Sequence, residues 1–232
     1  MRKALKGELS QRNYGNAVRL EVTEGISDIC ISKLLTEFKL NKEDCFLVNG
    51  PVNLGRLLQL PTLIDRPDLK FNPFTPQYPP FLRKGLKIFE HLKKEDLILH
   101  HPSECFDVVA EFINSAADDP SVVAIFQTIY RTGSTSGLMR SLINAVNKGK
   151  EVTVIVELMA RFDEETNINW ASKLEEIGAH VVFGVVGNKT HAKMCLVIRK
   201  ESNGLQRYVH LGTGNYHPKT ARQYTDFGLI TC

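Results

Sequence analysis

The chain has 232 residues, of which 43% are hydrophobic and 24% charged, and its formal net charge is +3. This length allows one large domain or two small ones, and the composition is that of a soluble globular protein. The mild positive charge does not by itself indicate a nucleic-acid or membrane partner. The sequence also contains no run of about 18 apolar residues, the length needed to span a bilayer. Five scattered cysteines form no CxxC pair, so we expect neither a zinc site nor a disulfide framework but a reducing, cytoplasmic setting.

The first third of the chain reads as a small α+β unit. Alternating polarity predicts strands at residues 17–22 and 44–49, and helical spacing predicts helices at 27–38 and 52–60. Six prolines between residues 61 and 82 predict an irregular linker, because proline fixes φ and removes a backbone donor. We therefore place a domain boundary near residue 75, giving domains at 1–75 and 76–232. The first would be a scaffold or docking domain.

The second domain has the pattern of an α/β fold with a mixed sheet and flanking helices. The sequence predicts helices at 104–117, 138–147 and 164–177, which alternate with strands at 122–129, 152–158 and 180–186. The strand at 152–158 is almost continuously apolar, which is typical of a strand buried in a parallel sheet. Three later strands at 193–199, 206–211 and 225–230 follow with short links, so we expect them to be partly antiparallel.

The segment with the strongest chemical signal is Thr190-His191-Ala192-Lys193. In an extended strand, His191 and Lys193 would share one face, while Ala192 and the apolar residues Met194, Leu196 and Ile198 would take the other, buried face. A nitrogen nucleophile beside a fixed cation suits phosphoryl transfer, since imidazole can attack phosphorus while ammonium holds the anionic oxygens. The alternative is an ordinary strand start with a half-exposed histidine.

Ligands of open α/β sheets bind at the carboxyl ends of the strands, and polar residues are concentrated there in this sequence. The residues that follow successive predicted strands are Arg131, then Arg161, then Lys189 and His191, and finally Gly212, Gly214 and Asn215. Arginine binds phosphate oxygens in a bidentate manner, and a Gly-x-Gly turn lets backbone N–H groups approach an anion. These residues predict a phosphate or polyanion site. Alternatively, Arg131 is a solvated loop residue, Arg161 pairs with a nearby acid such as Asp163, and the glycines form a hairpin turn.

Two further residues could complete such a site. Tyr224 and Asp226 lie two apart in a predicted strand and would share a face. Asp226 could orient an imidazole, and Tyr224 could stack on a base. We expect His210, within a predicted strand, to be a structural histidine.

Five motifs, in this order, carry a family resemblance: His100-His101-Pro102, Ile129-Tyr130-Arg131, the segment from Val156 to Glu165, Thr190-His191-Ala192-Lys193, and the segment from His210 to Asp226. Together they resemble the bacterial polyphosphate kinases of the larger type, which are related to phospholipase D. The resemblance covers roughly residues 80–232, and residues 15–75 look like the end of the head domain of that family.

The resemblance implies a phospholipase D-like fold and reversible transfer of the ATP γ-phosphate to polyphosphate. It assigns His191 as the nucleophile that becomes phosphohistidine, Tyr224 to ATP binding, and Arg131 and Arg161 to the phosphate and Mg²⁺ site. A guanidinium has no lone pair for a cation, so the arginines would hold phosphates that in turn carry the metal. The implied partners are ATP, ADP and polyphosphate, without nucleic acid, and the full-length protein is expected to be a homo-oligomer.

The sequence also departs from the family pattern. Phospholipase-type motifs place an Asp at the position of Ile198. The kinases also lack this Asp, so the departure favours a kinase. Ser103, Met159 and His217 replace common family residues without removing a predicted catalytic group. The chain would also be a fragment, because the family adds a second catalytic domain that supplies another histidine and an arginine. We therefore expect little or no kinase activity, measured as ATP-dependent polymer synthesis, from the isolated chain. Two alternatives stay open: a phospholipase D-type phosphodiesterase, or a non-catalytic fragment that binds polyphosphate or nucleotide. Association with a membrane surface also stays open.

Overall fold

The computed structural model describes residues 15–80, 82, 87–133, 136–160, 162–185 and 187–232. The chain divides into two compact units, of which the first ends at Phe74 and the second begins at Thr75. No helix within the described ranges is both long and apolar enough to cross a membrane.

The first unit is a small α+β element, as the sequence predicts. Strand β1 (Leu20–Thr23) pairs in parallel with β2 (Cys45–Val48), and helix α1 (Asp28–Phe38) connects them. The Ser27 hydroxyl accepts the N–H of Cys30 at 3.3 Å and so caps the start of α1.

The helix predicted at 52–60 is instead a 3-10 segment at Leu54–Gln59 that continues into the single turn of α2 (Leu60–Leu63). Its start is delayed because Asn53 has a left-handed backbone with φ of 59°. Pro61 fits in α2 because the first turn of a helix needs no N–H from that position.

The second unit is a seven-stranded mixed sheet with helices. Its elements in chain order are α3 (Ile88–Leu92), β3 (Leu97–His101), α4 (Asp107–Asp118), β4 (Val122–Ile129), α5 (Gly137–Asn147), β5 (Glu151–Val156), α6 (Glu164–Glu176), β6 (His180–Phe183), β7 (Lys193–Glu201), β8 (Gly204–Gly212) and β9 (Asp226–Thr231). The strand order is β3-β9-β8-β7-β4-β5-β6. Strands β4, β5 and β6 are parallel, whereas β7, β8 and β9 pair antiparallel, which confirms the predicted mixed α/β sheet.

The core follows from the periodicity of these elements. Helix α4 buries Val109, Phe112 and Ile113 on one face, as its helical spacing predicts. In β5, Val152, Val154 and Val156 are buried and the residues between them are at least partly covered. Two elements of five residues each, α3 and β3, were not predicted.

One edge of this sheet collects the strand ends that matter for the site. The pairs Ile129–Val156 and Val156–Phe183 align the carboxyl ends of β4, β5 and β6. On the antiparallel side, Lys193 of β7 pairs with Gly212 of β8, and Asp226 of β9 pairs with His101 of β3. We call this line of strand ends the carboxyl edge. It brings together loops that are distant in sequence.

Candidate active site

His191 lies just before the first residue of β7, and its imidazole contacts the ammonium of Lys193. The Nζ atom of Lys193 is 3.1 Å from Nδ1 and 3.0 Å from Nε2 of His191. The predicted juxtaposition of the two side chains is therefore present. The predicted orientation of the strand is wrong, because Lys193, Cys195 and Val197 form the buried face and Met194 is only half-buried. The long stem of a lysine can run through a packed layer while its charge reaches the edge.

An aromatic ring contacts this pair from the end of β4. The Tyr130 ring meets the His191 ring edge-on, with centroids 4.7 Å apart and an interplanar angle of 84°. The charged groups of Lys193, Arg131 and Lys189 lie 5.1, 5.4 and 5.8 Å from the centroid of the same ring. Three cations therefore surround Tyr130 and His191, which is the arrangement expected of an anion site.

This environment sets the charge of the imidazole. Burial lowers the pKa of His191, and the neighbouring charges of Lys193, Lys189 and Arg131 lower it further. Burial also lowers the pKa of Lys193; the carboxylate of Asp226 opposes this effect, and Arg131 adds to it. With a pKa below its ordinary value, His191 is therefore mainly an uncharged base at neutral pH, beside a cationic cluster.

Arg131 sits at the carboxyl edge immediately after Tyr130. Its Nε lies 3.1 Å from Oδ2 of Asp163, which pins the guanidinium beside the site. Asp163, which the sequence offers as one possible partner for Arg161, pairs with Arg131. The prediction for Arg161 itself falls outside the described residues.

The Gly-x-Gly turn lies at the carboxyl edge and packs against the carboxylate of Asp226. Gly212 ends β8, and a Cβ added to Gly214 would stand 2.5 Å from Oδ2 of Asp226, so no larger residue fits. The hydroxyl of Thr213 donates to Oδ1 of Asp226 at 2.8 Å. The side-chain oxygen of Asn215 is buried without a hydrogen-bond partner among the described residues. The turn thus packs on the carboxylate whose charge acts on Lys193.

The two residues of the last motif are placed differently from expectation. Asp226 is the first residue of β9, and its hydrogen bond from Thr213 ties it to the turn; no described hydrogen bond joins it to His191. Tyr224 precedes the strand, so the two side chains do not share a strand face. It is 62% exposed and its backbone N–H donates to Thr220. A largely exposed ring beside the edge remains available for stacking on a base.

His210 is a buried structural histidine, as predicted. It is 3% exposed, and its Nδ1 lies 2.7 Å from the hydroxyl of Tyr216. Burial, together with the nearby His101, lowers the pKa of His210 to about 3, so the ring is neutral across the physiological range.

Two residues of the site, Tyr130 and Glu157, lie within the quoted motifs but were assigned no role from the sequence. Glu157 follows the apolar run of β5 directly and is 5% exposed. Its carboxylate accepts the backbone N–H groups of Met159 and Thr190 at 2.9 and 2.7 Å. The signal that could have found it is a charged residue at the end of a buried strand, where the sheet presents its site.

The described residues contain no cluster of three or more His, Cys, Asp or Glu side chains that could hold a metal ion. The cationic side chains of the site have no lone pairs to offer a metal. Mg²⁺ is commonly bound through substrate phosphates and water with few protein ligands. The donor set therefore suits a magnesium ion carried by phosphate oxygens rather than a protein cage.

The whole chain is similar in sequence to known proteins. It is 59% identical over 235 aligned residues to "Polyphosphate kinase" of Burkholderia multivorans and 58% identical to that of Paraburkholderia phytofirmans, covering all of this chain and 34% of each relative. The chain thus spans about a third of the length of these curated relatives. A solved structure, the polyphosphate kinase of Porphyromonas gingivalis, is 27% identical with a TM-score of 0.75, covering 92% of this chain and 32% of that one.

The family models agree with these matches. Residues 87–232 match the model described as polyphosphate kinase C-terminal domain 1, and residues 1–60 match the polyphosphate kinase middle domain. The first match alone covers more than half of the chain and includes every residue of the site described above. The chain therefore belongs to the polyphosphate kinase family.

Proposed function

We propose that this chain carries the nucleophile of a polyphosphate kinase, and that His191 takes the γ-phosphoryl group from ATP and passes it to polyphosphate. The observation that supports this most strongly is the contact of the His191 imidazole with the ammonium of Lys193 inside a group of cations, where the pKa of the imidazole is lowered. A nitrogen nucleophile must be unprotonated to attack, and an anionic acceptor site must be cationic. This arrangement meets both requirements.

In the first step, a ring nitrogen of His191 attacks the γ-phosphorus in line with the bond to ADP. The N–P bond forms as the P–O bond breaks, and ADP leaves with the electron pair. In the second step, a terminal phosphate oxygen of polyphosphate attacks the same phosphorus, and the N–P bond breaks. The neutral imidazole is restored and the polymer is one phosphate longer.

The remaining residues hold the transferring group. Lys193, Arg131 and Arg161 would stabilise charge on its equatorial oxygens, because cations already held in place stabilise the charge that develops in the transition state. Asp226 would keep Lys193 protonated, since its charge raises the pKa of that ammonium. The turn formed by Gly212, Gly214 and Asn215 would offer backbone and amide groups to the polyphosphate, and Tyr224 would stack on adenine.

Magnesium would enter with the nucleotide. Arg131 and Arg161 would bind the phosphates that carry it, and the ion would neutralise charge on their oxygens. In this proposal the arginines therefore contact phosphate and not the metal.

Two other functions are distinguished by their chemistry. A phospholipase D-type phosphodiesterase would use His191 on a phosphodiester, but Ile198 occupies the position of its Asp and lies half-buried in β7. A binding fragment without catalysis would use the same cations for polyphosphate or nucleotide, with all chemistry supplied elsewhere in the longer protein.

One set of incubations separates these functions. The purified chain is mixed with γ-labelled ATP and Mg²⁺, with labelled polyphosphate, or with a chromogenic phosphodiester, and His191→Gln serves as the matched variant. We expect acid-labile, base-stable label on the wild type from ATP or polyphosphate, and none on His191→Gln. Polyphosphate binding without label would indicate a scaffold, and alcohol release from the diester without nucleotide would indicate a phosphodiesterase.

A further inference from the structure

Three loops of the carboxyl edge are joined beneath the surface by two buried polar side chains. Glu157, at the end of β5, is 5% exposed, and Asn167, within α6, is fully buried. The loops carry Tyr130 and Arg131 after β4, Met159 after β5, and His191 before β7. Neither buried residue belongs to the set that contacts phosphate in the proposed function.

The carboxylate of Glu157 bridges two of these loops. Its Oε1 accepts the N–H of Met159 at 2.9 Å, and its Oε2 accepts the N–H of Thr190 at 2.7 Å. Thr190 is the residue immediately before His191. One carboxylate therefore fixes the backbone that carries the imidazole relative to the end of β5.

The amide of Asn167 adds the third loop. Its Nδ2 donates to the carbonyl oxygens of Tyr130 at 2.8 Å and Glu157 at 2.9 Å. The backbone N–H of Glu157 also donates to the carbonyl of Ile129 at 2.9 Å. The Tyr130 backbone, and with it the ring that touches His191, is therefore held to the same pair.

Burying these two groups is costly, and Oδ1 of Asn167 has no hydrogen-bond partner among the described residues. A buried carboxylate or amide destabilises a fold unless hydrogen bonds replace its lost hydration, and an apolar side chain would fill the same volume without that cost. The side-chain hydrogen bonds of both residues go to loop backbone at the carboxyl edge. Their geometry serves loop position rather than helix or strand formation.

We propose that Glu157 and Asn167 are positioning residues that hold His191 and Tyr130 in register with the surrounding cations. This inference rests on His191 being the nucleophile of the proposed function. The pair would act on the imidazole only through backbone, by keeping it at its contact with Lys193 and within reach of Lys189 and Arg131.

Isosteric substitutions test the pair. Glu157→Gln retains the shape but turns an NH₂ group toward one of the two loop N–H donors, so one bridge is lost. Asn167→Asp replaces the donor by a carboxylate that faces two carbonyl oxygens. Glu157→Asp keeps the charge but shortens the side chain by one methylene. The matched control is Glu201→Gln, because Glu201 ends β7 about 26 Å along the strand from Lys193 and contacts none of these loops.

Two readouts are measured on each folded variant. The first is the pKa of His191, followed by NMR on the ring protons and assigned with His191→Gln. We expect it to rise toward the ordinary histidine value in Glu157→Gln and Asn167→Asp, because the imidazole leaves its cations, and to stay unchanged in Glu201→Gln. The second is the initial rate of label transfer from ATP, which we expect to fall roughly 10- to 100-fold in the same two variants, as for other small misplacements.

Two results would rule out a positioning role for Glu157 and Asn167. An unchanged His191 pKa and an unchanged label rate in folded Glu157→Gln and Asn167→Asp would overturn the proposal. Loss of folding in all three variants, including Glu157→Asp, would also overturn it, because the pair would then be part of the general core. If the wild type takes no label, the proposed function fails, but the NMR titration still tests the positioning role.

Discussion

At the scale of single residues, the site is built around an imidazole whose charge is controlled by its neighbours. His191 contacts Lys193 and the Tyr130 ring, and Lys189 and Arg131 add positive charge nearby. These cations favour the neutral ring, and they also attract an anionic substrate. The same charges that bind phosphate therefore keep the nucleophile ready to attack it.

This gives a pH dependence with a definite sign. Because the pKa of His191 lies below its ordinary value, label transfer should hold its full rate at neutral pH and decline only as the pH falls through that lowered pKa. Lys189→Ala removes one of the cations, so the acid limb of the rate profile should move to higher pH. Lys200→Gln, at an exposed lysine near the far end of β7, is the control and should leave the acid limb in place.

The measurement is the initial rate of His191 labelling between pH 4.5 and 8 at constant ionic strength. A limb that moves to lower pH in Lys189→Ala, or does not move, would contradict the electrostatic account of the nucleophile.

At the scale of elements, the Gly-x-Gly turn is explained by space rather than by backbone conformation. Gly214 is needed because the carboxylate of Asp226 occupies the position of a side chain, with Cβ-to-Oδ2 and Cβ-to-Cγ separations of 2.5 and 2.6 Å for an added methyl group. The turn therefore packs on the start of β9, where the carboxylate of Asp226 acts electrostatically on the ammonium of Lys193. A substitution in the turn should be transmitted to the phosphate site.

Gly214→Ala should lower the free energy of unfolding by about 1–3 kcal/mol through overpacking, and it should weaken tripolyphosphate binding as Asp226 is displaced. Gly137→Ala is the matched control, since an added Cβ there meets only Arg140 at 3.8 Å. Urea unfolding and isothermal calorimetry measure the two effects. Equal stability and equal affinity in the two variants would show that the turn is not packed on Asp226.

The sequence predicts the longer elements of the second unit well because their patterns are periodic, whereas the short α3 and β3 are missed. The strand at 122–129 and the helix at 138–147 are found within one residue of their predicted bounds. The convergence of Arg131, His191 and Gly212 at one edge also follows from strand order alone. The order of the strands in the sheet thus determines which loops lie next to one another.

Other features depend on packing that no local pattern records. The buried face of β7 carries Lys193 rather than Met194, because a long amphipathic stem can replace an apolar side chain in the layer. The pairing of Arg131 with Asp163 and the bridging role of Glu157 join loops about 30 residues apart. Such contacts depend on the folded geometry. The sequence therefore predicts which residues form the site but not their hydrogen-bond and ion-pair partners.

At the scale of the whole molecule, a cluster of charged side chains around Glu201 lies at the end of the sheet opposite the site. Glu201 accepts the Lys93 ammonium at 2.8 Å and the Tyr208 hydroxyl at 2.9 Å, and it also pairs with the guanidinium of Arg199. The hydrogen bond from Lys93, assisted by Arg199 and Tyr208 against partial burial, lowers the pKa of Glu201 from 4.5 to about 2. This cluster links α3, β7 and β8.

The low pKa predicts how stability depends on pH. A carboxylate with a depressed folded pKa contributes its full stability above its unfolded pKa of 4.5 and loses it as the pH falls toward about 2. Glu201→Gln should therefore cost about 1–3 kcal/mol at pH 7, and the difference from the wild type should shrink between pH 4.5 and 2. Urea unfolding at pH 7, 4 and 3 checks this, and a gap independent of pH would contradict it.

The central claim is that His191 carries the phosphoryl group, and site mapping tests it most directly. The chain is incubated with ATP and Mg²⁺, quenched in base, digested, and analysed by tandem mass spectrometry that preserves the N–P bond. The account predicts phosphate on the His191 imidazole, lost when ADP is added, and no phosphate at that peptide in His191→Gln. Stable phosphate on another residue, with His191 unmodified under conditions that label the wild type, would contradict it.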